Sequence, residues 1–310
     1  MKKISVLIPC YNEQDNVVPL SQDIVTLFET KLPMYDYEII FIDNDSNDLT
    51  REKLISICAT RPKIKAIFNA RNFGHIRSPF YGLLQTTGDC SILMCADFQD
   101  PVEMIVDFVK AWEEGFKIVI GIKHKSKENK LMYHLRSAYY RVIHKIADVE
   151  QIEHFTGFGL YDSAFVEVMK QLDDPSPYMR GIVAELGYAR KEINYVQQKR
   201  RTGKTKNNWY TLYDIGMIGV TSYSKIILRL ATIFGFIFSG LSFLSALAYL
   251  ILKLLFWDRF PAGTIPILIG VFVLGSLQLF FIGFLGEYIL NINTRVMKRP
   301  LVIEEKRINF

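Results

Sequence analysis

The stretch "MCADFQDPVE", Met94 to Glu103, sets three carboxylates and an amide at the end of the apolar run "CSILM". Asp100 followed by Pro101, with Glu103 three residues on, is the pattern of a helix start, Asp100 as N-cap and Glu103 closing a capping box. Asp97 and Gln99 are left without a structural task. A hard divalent cation takes oxygen ligands and keeps waters and substrate phosphate oxygens in its shell, so one carboxylate and one amide carbonyl are a sufficient protein share. A second run, "QKRRTGKTKNN", carries the opposite charge. Its Arg200, Lys204 and Lys206, spaced with Gly203, suit a loop folded over a diphosphate, arginine as a planar fork and lysine as a point charge. Taken singly, the first run also suits a solvent-facing turn and the second a solvated or lipid-facing segment. Together they make sense if phosphate groups lie between them.

The elements that must position these groups are visible in the first 120 residues. "ISVLIP", "YEIIFID", "IKAIFN", "SILMCAD" and "KIVIGI" read as strands, separated by helices beginning near Asn12, Asp48, His75 and Pro101. Short Ile- and Val-rich runs alternating with helices predict a parallel sheet covered on both faces. Such sheets bind ligands beyond the carboxyl ends of their strands, where the strand order switches. Three of these strands run into "PCYNE", "DNDSND" and "ADFQD", which predicts Glu13, Asp43 and Asp97 on one rim. Between Lys123 and Gln198, "LRSAYYRVIHKIA" and "SAFVEVMKQL" read as helices, with a Pro-punctuated turn at "DDPSPY".

Half of the 310 residues are hydrophobic, and the excess is concentrated in two uncharged runs, Leu230 to Leu252 and Thr264 to Gly286. Each is long enough to cross a bilayer as a helix, and together they predict a transmembrane hairpin. Lys225 and Arg229 precede it and Arg295, Lys298, Arg299, Lys306 and Arg307 follow it, so both ends are expected in the cytoplasm. Residues 209–228, with Trp209, Leu212, Tyr213, Gly216, Val220, Tyr223 and Ile227 at mostly helical spacing, suit an amphipathic helix at the membrane surface; an ordinary domain helix is the alternative. The short apolar opening "MKKISVLIPC" stops at "YNEQDN" and reads as a strand rather than a targeting peptide. The four cysteines have no zinc-like pairing, and the five histidines no HExxH-type spacing. A net charge of +5 gathered near the membrane segments suits anionic lipid, not nucleic acid. The tail "RPLVIEEKRINF" reads as flexible or strand-like.

"SVLIPCYNEQDNV", "FIDNDSNDLT", "NARNFG", "CADFQDPVE", "TGFGLYD", "RGIVAELGY" and "RRTGKTK", in that order and followed by the paired apolar runs and "GEYI", resemble the family 2 glycosyltransferases that load sugars onto polyprenyl phosphate. The resemblance covers essentially the whole chain. It implies a GT-A fold over residues 1–206, a juxtamembrane helix over 207–228, a hairpin over 229–290 and a cytoplasmic tail over 291–310. It implies further a nucleotide-sugar donor, UDP-hexose by family frequency, a divalent metal (Mg2+ or Mn2+), a polyprenyl phosphate acceptor, inversion at the sugar and a homotetramer in the cytoplasmic membrane. By position, Pro9, Tyr11 and Glu13 would border the nucleobase and Asp43 would hold base or ribose. Ala96, Asp97 and Gln99 would sit at the diphosphate and metal, and Arg200, Gly203, Thr205 and Lys206 would form the closing loop. Asp162 could orient either substrate or cap a helix, and Arg136 and Ser137 are faint acceptor-phosphate candidates.

Three positions depart from the family pattern. Cys95 stands where the first acidic residue of the metal motif is common, "DNDS" replaces "DDGS", and Gly159 replaces a frequent arginine. Cys95 is what favours a second reading, a membrane-anchored nucleotide-sugar-binding protein without turnover. A processive polysaccharide synthase is disfavoured, because more membrane helices and a QxxRW motif are both missing from the sequence.

Overall fold

The computed structural model describes residues 1–125, 152, 154–198, 200, 217, 226–255 and 264–310. Its strands are β1 (Lys3–Cys10), β2 (Asp36–Asp43), β3 (Ile64–Asn69), β4 (Cys90–Leu93), β5 (Ile118–Lys125), β6 (Phe155–Asp162), β7 (Arg190–Val196) and β8 (Glu304–Ile308). They form one sheet in the order β7-β5-β6-β4-β1-β2-β3-β8. The helices are α1 (Val17–Lys31), α2 (Thr50–Thr60), α3 (Gly74–Leu84), α4 (Met104–Glu113), α5 (Ser163–Gln171), α6 (Met179–Glu185), α7 (Ile226–Leu255) and α8 (Thr264–Val296).

Strand residues alternate between two cores, as the two-residue period of a strand requires. Val6, Ile8, Ile39 and Phe41 pack with Leu20, Leu54 and Phe108 of α1, α2 and α4. Leu7, Ile40 and Ile42 pack with Phe80, Phe165 and Ile182 of α3, α5 and α6. The sheet is thus sandwiched between two helical layers, as expected for strands this apolar. It is not wholly parallel: β6 runs antiparallel to β4 and β5, and β8 antiparallel to β3. "TGFGLYD" and "EEKRI" contain no local sign of direction, which is set by the strands they meet.

Chain order reverses at β1, which lies between β2 and β4. Its carboxyl end is therefore the switch point where a crevice opens. At the opposite end of the sheet, the buried Glu38 carboxylate accepts from Ser5 Oγ and Thr87 N and pairs with Lys3 and Lys65, both at 2.8 Å. Burial pushes its pKa up, but these partners outweigh it and hold the group at about 2. A carboxyl depressed in the folded state stabilises fully above its ordinary value near 4.5 and loses that contribution as pH falls toward 2. Glu38→Gln is expected to cost roughly 2–3 kcal/mol at neutral pH, because both lysines reach solvent, and to flatten melting temperature between pH 4.5 and 2. Thermal melts across that range check it.

The two long C-terminal helices fall on the predicted apolar runs, α8 reaching ten residues beyond Gly286 to Val296. Among the described residues one stretch, Val273–Val296, is long and apolar enough to cross a membrane. A transmembrane hairpin is more than these residues establish. The rings of Phe234 and Phe281 stack at 6.5 Å between α7 and α8, while residues 256–263 lie outside the described set. Among the described residues, a Cβ at Gly235, Gly240, Gly270 or Gly275 would meet open space. Arg295 of α8 pairs with Asp174 at 3.3 Å, and the tail continues into β8. Of the predicted juxtamembrane helix over 207–228, the described residues are Met217 and 226–228, the latter forming the start of α7; the rest lies outside the described residues.

Candidate active site

The loops after β1 and β2 are knitted together beyond the sheet. Asn12 N donates to Ser46 Oγ and Asn47 N to Asn12 Oδ1, each at 2.8 Å, and Glu13 N donates to Thr50 Oγ1 at 2.9 Å. Pro9, Tyr11 and Glu13 are half-buried here, the Glu13 carboxylate accepting from Asn16 Nδ2 at 2.6 Å. Asp43 sits beneath them with no exposed surface, its carboxylate bound by the Ser46 hydroxyl and backbone N–H and by Arg51 Nε at 2.8 Å. It holds the loop from below, and its oxygens are already engaged from within the chain.

Asn44, which with Asp45 distinguishes "DNDS" from "DDGS", is a hub. It donates to Asn72 Oδ1 and Gly74 O, and its carbonyl accepts from Asn69 Nδ2 and Phe73 N. The amide pattern that departs from the family is thus what ties the β2 loop to the segment entering α3.

The acidic turn after β4 meets Gln198 and Arg200, the described residues of the basic run. Asp97 is buried, accepts from Gln99 N at 3.1 Å, and pairs through its other oxygen with Arg200 Nη2 at 2.8 Å. Gln198 N donates to Gln99 O at 3.2 Å, so the chain entering "RRTGKTK" is fastened to the turn by its backbone too. Asp100 differs from its predicted capping role. α4 begins only at Met104 with Glu103 as N-cap, and the buried Asp100 carboxylate instead accepts from Cys95 N at 3.0 Å and Tyr195 OH at 2.9 Å. Burial raises its pKa against those hydrogen bonds. Each of the three loops holds one residue at left-handed φ: Asn12 at 57°, Asp45 at 66° and Phe98 at 59°. That conformation is easy for Asn and Asp but strained for a buried Phe, and such strain collects at functional sites.

On the other side of the switch point lies a largely apolar cavity of about 180 Å3, bordered by Pro9, His75, Cys95, Asp100, Tyr178 and Arg180. Lys123, near the carboxyl end of β5, faces the same region. Burial lowers its pKa, while Asp100 and Cys95 act to raise it and Arg180 to lower it.

The glycosyl transferase family 2 profile matches residues 5–187. This chain belongs to that family. Along nearly its whole length it is also similar to two curated proteins. The prophage bactoprenol glucosyl transferase homolog of Escherichia coli K12 is 30% identical over 97% of this chain and 98% of that one. The bactoprenol glucosyl transferase of Shigella phage SfX is 31% identical over 98% and 99%. Among solved structures, glucosyl-3-phosphoglycerate synthase from Mycobacterium tuberculosis, crystallised with Mn2+, UDP and glucosyl-3-phosphoglycerate, aligns with a TM-score of 0.45 at 16% identity, covering 71% of this chain and 78% of that one.

In this family 2 glycosyltransferase, with its GT-A-like mixed sheet, Asp97, Ala96, Gln99 and Arg200 converge on one rim with Pro9, Tyr11 and Glu13. Gly203, Thr205, Lys206, Arg136 and Ser137 lie outside the described residues. Of the two roles open to Asp162, the structure shows the helix cap. Because β6 is antiparallel to β4, Asp162 pairs with Cys90 at the start of that strand, at the end of the sheet opposite Asp97. There it caps α5 through Ala164 N and accepts from Trp112 Nε1 at 2.7 Å and Lys117 Nζ at 2.9 Å. Burial raises its pKa, and these donors prevail and lower it. At Gly159 a Cβ would come within 2.5 Å of Val119 O, so the β5–β6 pairing accepts no side chain there.

No group of three or more His, Cys, Asp and Glu suited to a metal occurs among the described residues. Asp97 and Gln99 fit a hard cation that shares its remaining ligands with a bound diphosphate, not one caged by protein alone. Reading the sequence for acidic rims missed Lys123 and Arg180. Lys123 directly follows the predicted strand run "KIVIGI", and the same rule applied to cations would have found it.

Proposed function

We propose that this enzyme moves a hexose from a nucleoside diphosphate sugar, UDP-hexose first among them, to polyprenyl phosphate at a membrane surface, with inversion at the anomeric carbon. The observation that carries the reading is the junction of acidic turn and basic loop: Arg200 on Asp97 and Gln198 on Gln99 set opposite charges on one rim. Full-length similarity to bactoprenol glucosyl transferases supports the lipid acceptor.

In this reading Pro9, Tyr11 and Glu13 border the base, and Asp43 shapes their loop from beneath. Asp97 and Gln99, with the Ala96 backbone beside them, would hold a divalent cation, Mg2+ or Mn2+, whose positive charge stabilises a departing diphosphate. Arg200, with Gly203, Thr205 and Lys206 farther along the loop, closes over the same phosphates and meets their charge as it develops. An acceptor phosphate oxygen forms the new bond to the anomeric carbon as the bond to the diphosphate breaks, and the sugar becomes oxocarbenium-like between them. The acceptor is already anionic at neutral pH, so no general base is required. Lys123 and Arg180, across the crevice, are suited to receive that second anion.

The apolar helices α7 and α8, read as a cytoplasm-facing hairpin with the segment before them on the membrane surface, would keep the rim near a headgroup whose tail stays in lipid. A homotetramer is the assembly this reading carries. The test is incubation of the detergent-purified full chain with Mn2+ or Mg2+, radiolabelled UDP-glucose and polyprenyl phosphate. Label entering the organic phase supports transfer to lipid; elongating polymer, or binding without turnover, overturns it.

A further inference from the structure

The C-terminal strand β8 returns from the apolar helix to the edge of the sheet, and it does so beside the β2 loop. Its pairing with β3 slips by one residue: Phe68 faces Lys306, whereas Asn69 faces Glu304. Glu305 is the extra residue of that bulge. Bulges at sheet edges re-aim side chains and recur next to active sites. Here the Glu305 carboxylate meets Arg51 Nη1 at 2.9 Å.

The same guanidinium donates through Nε to Asp43 at 2.8 Å and through Nη2 to Asn69 O at 2.7 Å, with Asp45 at 3.9 Å. A single planar cation therefore bridges the tail, the end of β3 and the "DNDS" loop. The strand itself is fastened elsewhere. Arg307 donates to Gln85 Oε1 at 2.7 Å, Asn309 Nδ2 to Cys58 O at 2.8 Å and Ile64 O at 2.7 Å, and Ala70 N to Ile303 O at 2.9 Å. Glu305 is more than half exposed, and an ion pair so exposed adds little to stability. It engages Nη1 of the Arg51 fork, the nitrogen that neither Asp43 nor Asn69 holds.

We propose that Glu305 is a positioning residue of the donor site, holding Arg51 so that the Asp43 loop is set for a nucleoside diphosphate, and that the segment following the apolar helix thereby takes part in donor binding. This rests on the β1–β2 rim being the nucleotide site. The full chain in detergent is titrated with UDP, GDP and CDP, and the tightest of these is carried into Glu305→Gln, Glu305→Asp and Asp43→Asn variants. Losing one charge-assisted contact in the chain of positions is expected to weaken that nucleotide about three- to tenfold in Glu305→Gln. Donor KM should rise in parallel, with kcat, acceptor KM and melting temperature near wild type, and Glu305→Asp should recover part of the loss. Wild-type affinity in Glu305→Gln beside weakened binding in Asp43→Asn overturns the positioning role and leaves the donor site standing. A lowered melting temperature with kcat and both KM values altered alike would make Glu305 a brace only, which also overturns it. If the wild type binds none of the three nucleotides, the donor-site reading fails and the proposal with it.

Discussion

Asp97→Asn is expected to lower kcat about 10²- to 10³-fold, the scale on which removing one preorganised charge-stabilising group acts. The amide keeps the side-chain shape and still accepts from Gln99 N, so the turn after β4 should persist. What is lost is the negative charge that now answers Arg200 at 2.8 Å and that would hold a divalent cation beside the diphosphate. Arg200 is partly exposed and can re-solvate, so the fold should tolerate the change. Turnover with labelled donor, alongside the amount of protein in the membrane fraction, measures it. Full activity at unchanged expression would remove Asp97 from the diphosphate site.

Arg200→Ala should reduce kcat/KM by roughly 10²-fold, and Arg200→Lys should restore only part of it, because lysine offers a point charge where arginine offers a planar fork. The loss should also expose an unanswered Asp97 carboxylate in a buried turn, which weakens donor binding by repelling phosphate. Steady-state kinetics in both substrates separate these effects. A variant with unchanged donor KM and kcat would show that the arginine only pins the loop to the turn, a task that the Gln198–Gln99 backbone bond already shares.

Much of this architecture could be read before any coordinates. The runs that became β1 to β5 are short, Ile- and Val-rich and separated by helix-length segments, and each holds a strand, although β4 stops at Leu93, short of the predicted "MCAD", and β5 continues to Lys125. "SAFVEVMKQL" became α5 for the same reason, its apolar residues recurring at helical spacing. The place of Asp97 and Gln99 in the turn after β4 was legible because the apolar run "CSILM" stops just before them. Asp100 was misjudged by the same local logic. Asp-Pro-x-Glu is a sound helix start, yet Tyr195 and the Cys95 amide, remote partner and near neighbour, took the carboxylate instead.

Periodicity, charge and strand-end composition are local quantities, and from them the chain by itself determined a layered sheet with an acidic rim, a basic loop and long apolar helices. Strand direction and register are not local. Only the tertiary structure decided that β6 runs against β4, which carries Asp162 to the opposite end of the strands, and that β8 closes on β3 with a bulge aiming Glu305 at Arg51. The reason is that a strand's direction and register are set by hydrogen bonds to a neighbour from distant sequence, and a shift of one residue turns every side chain to the other face.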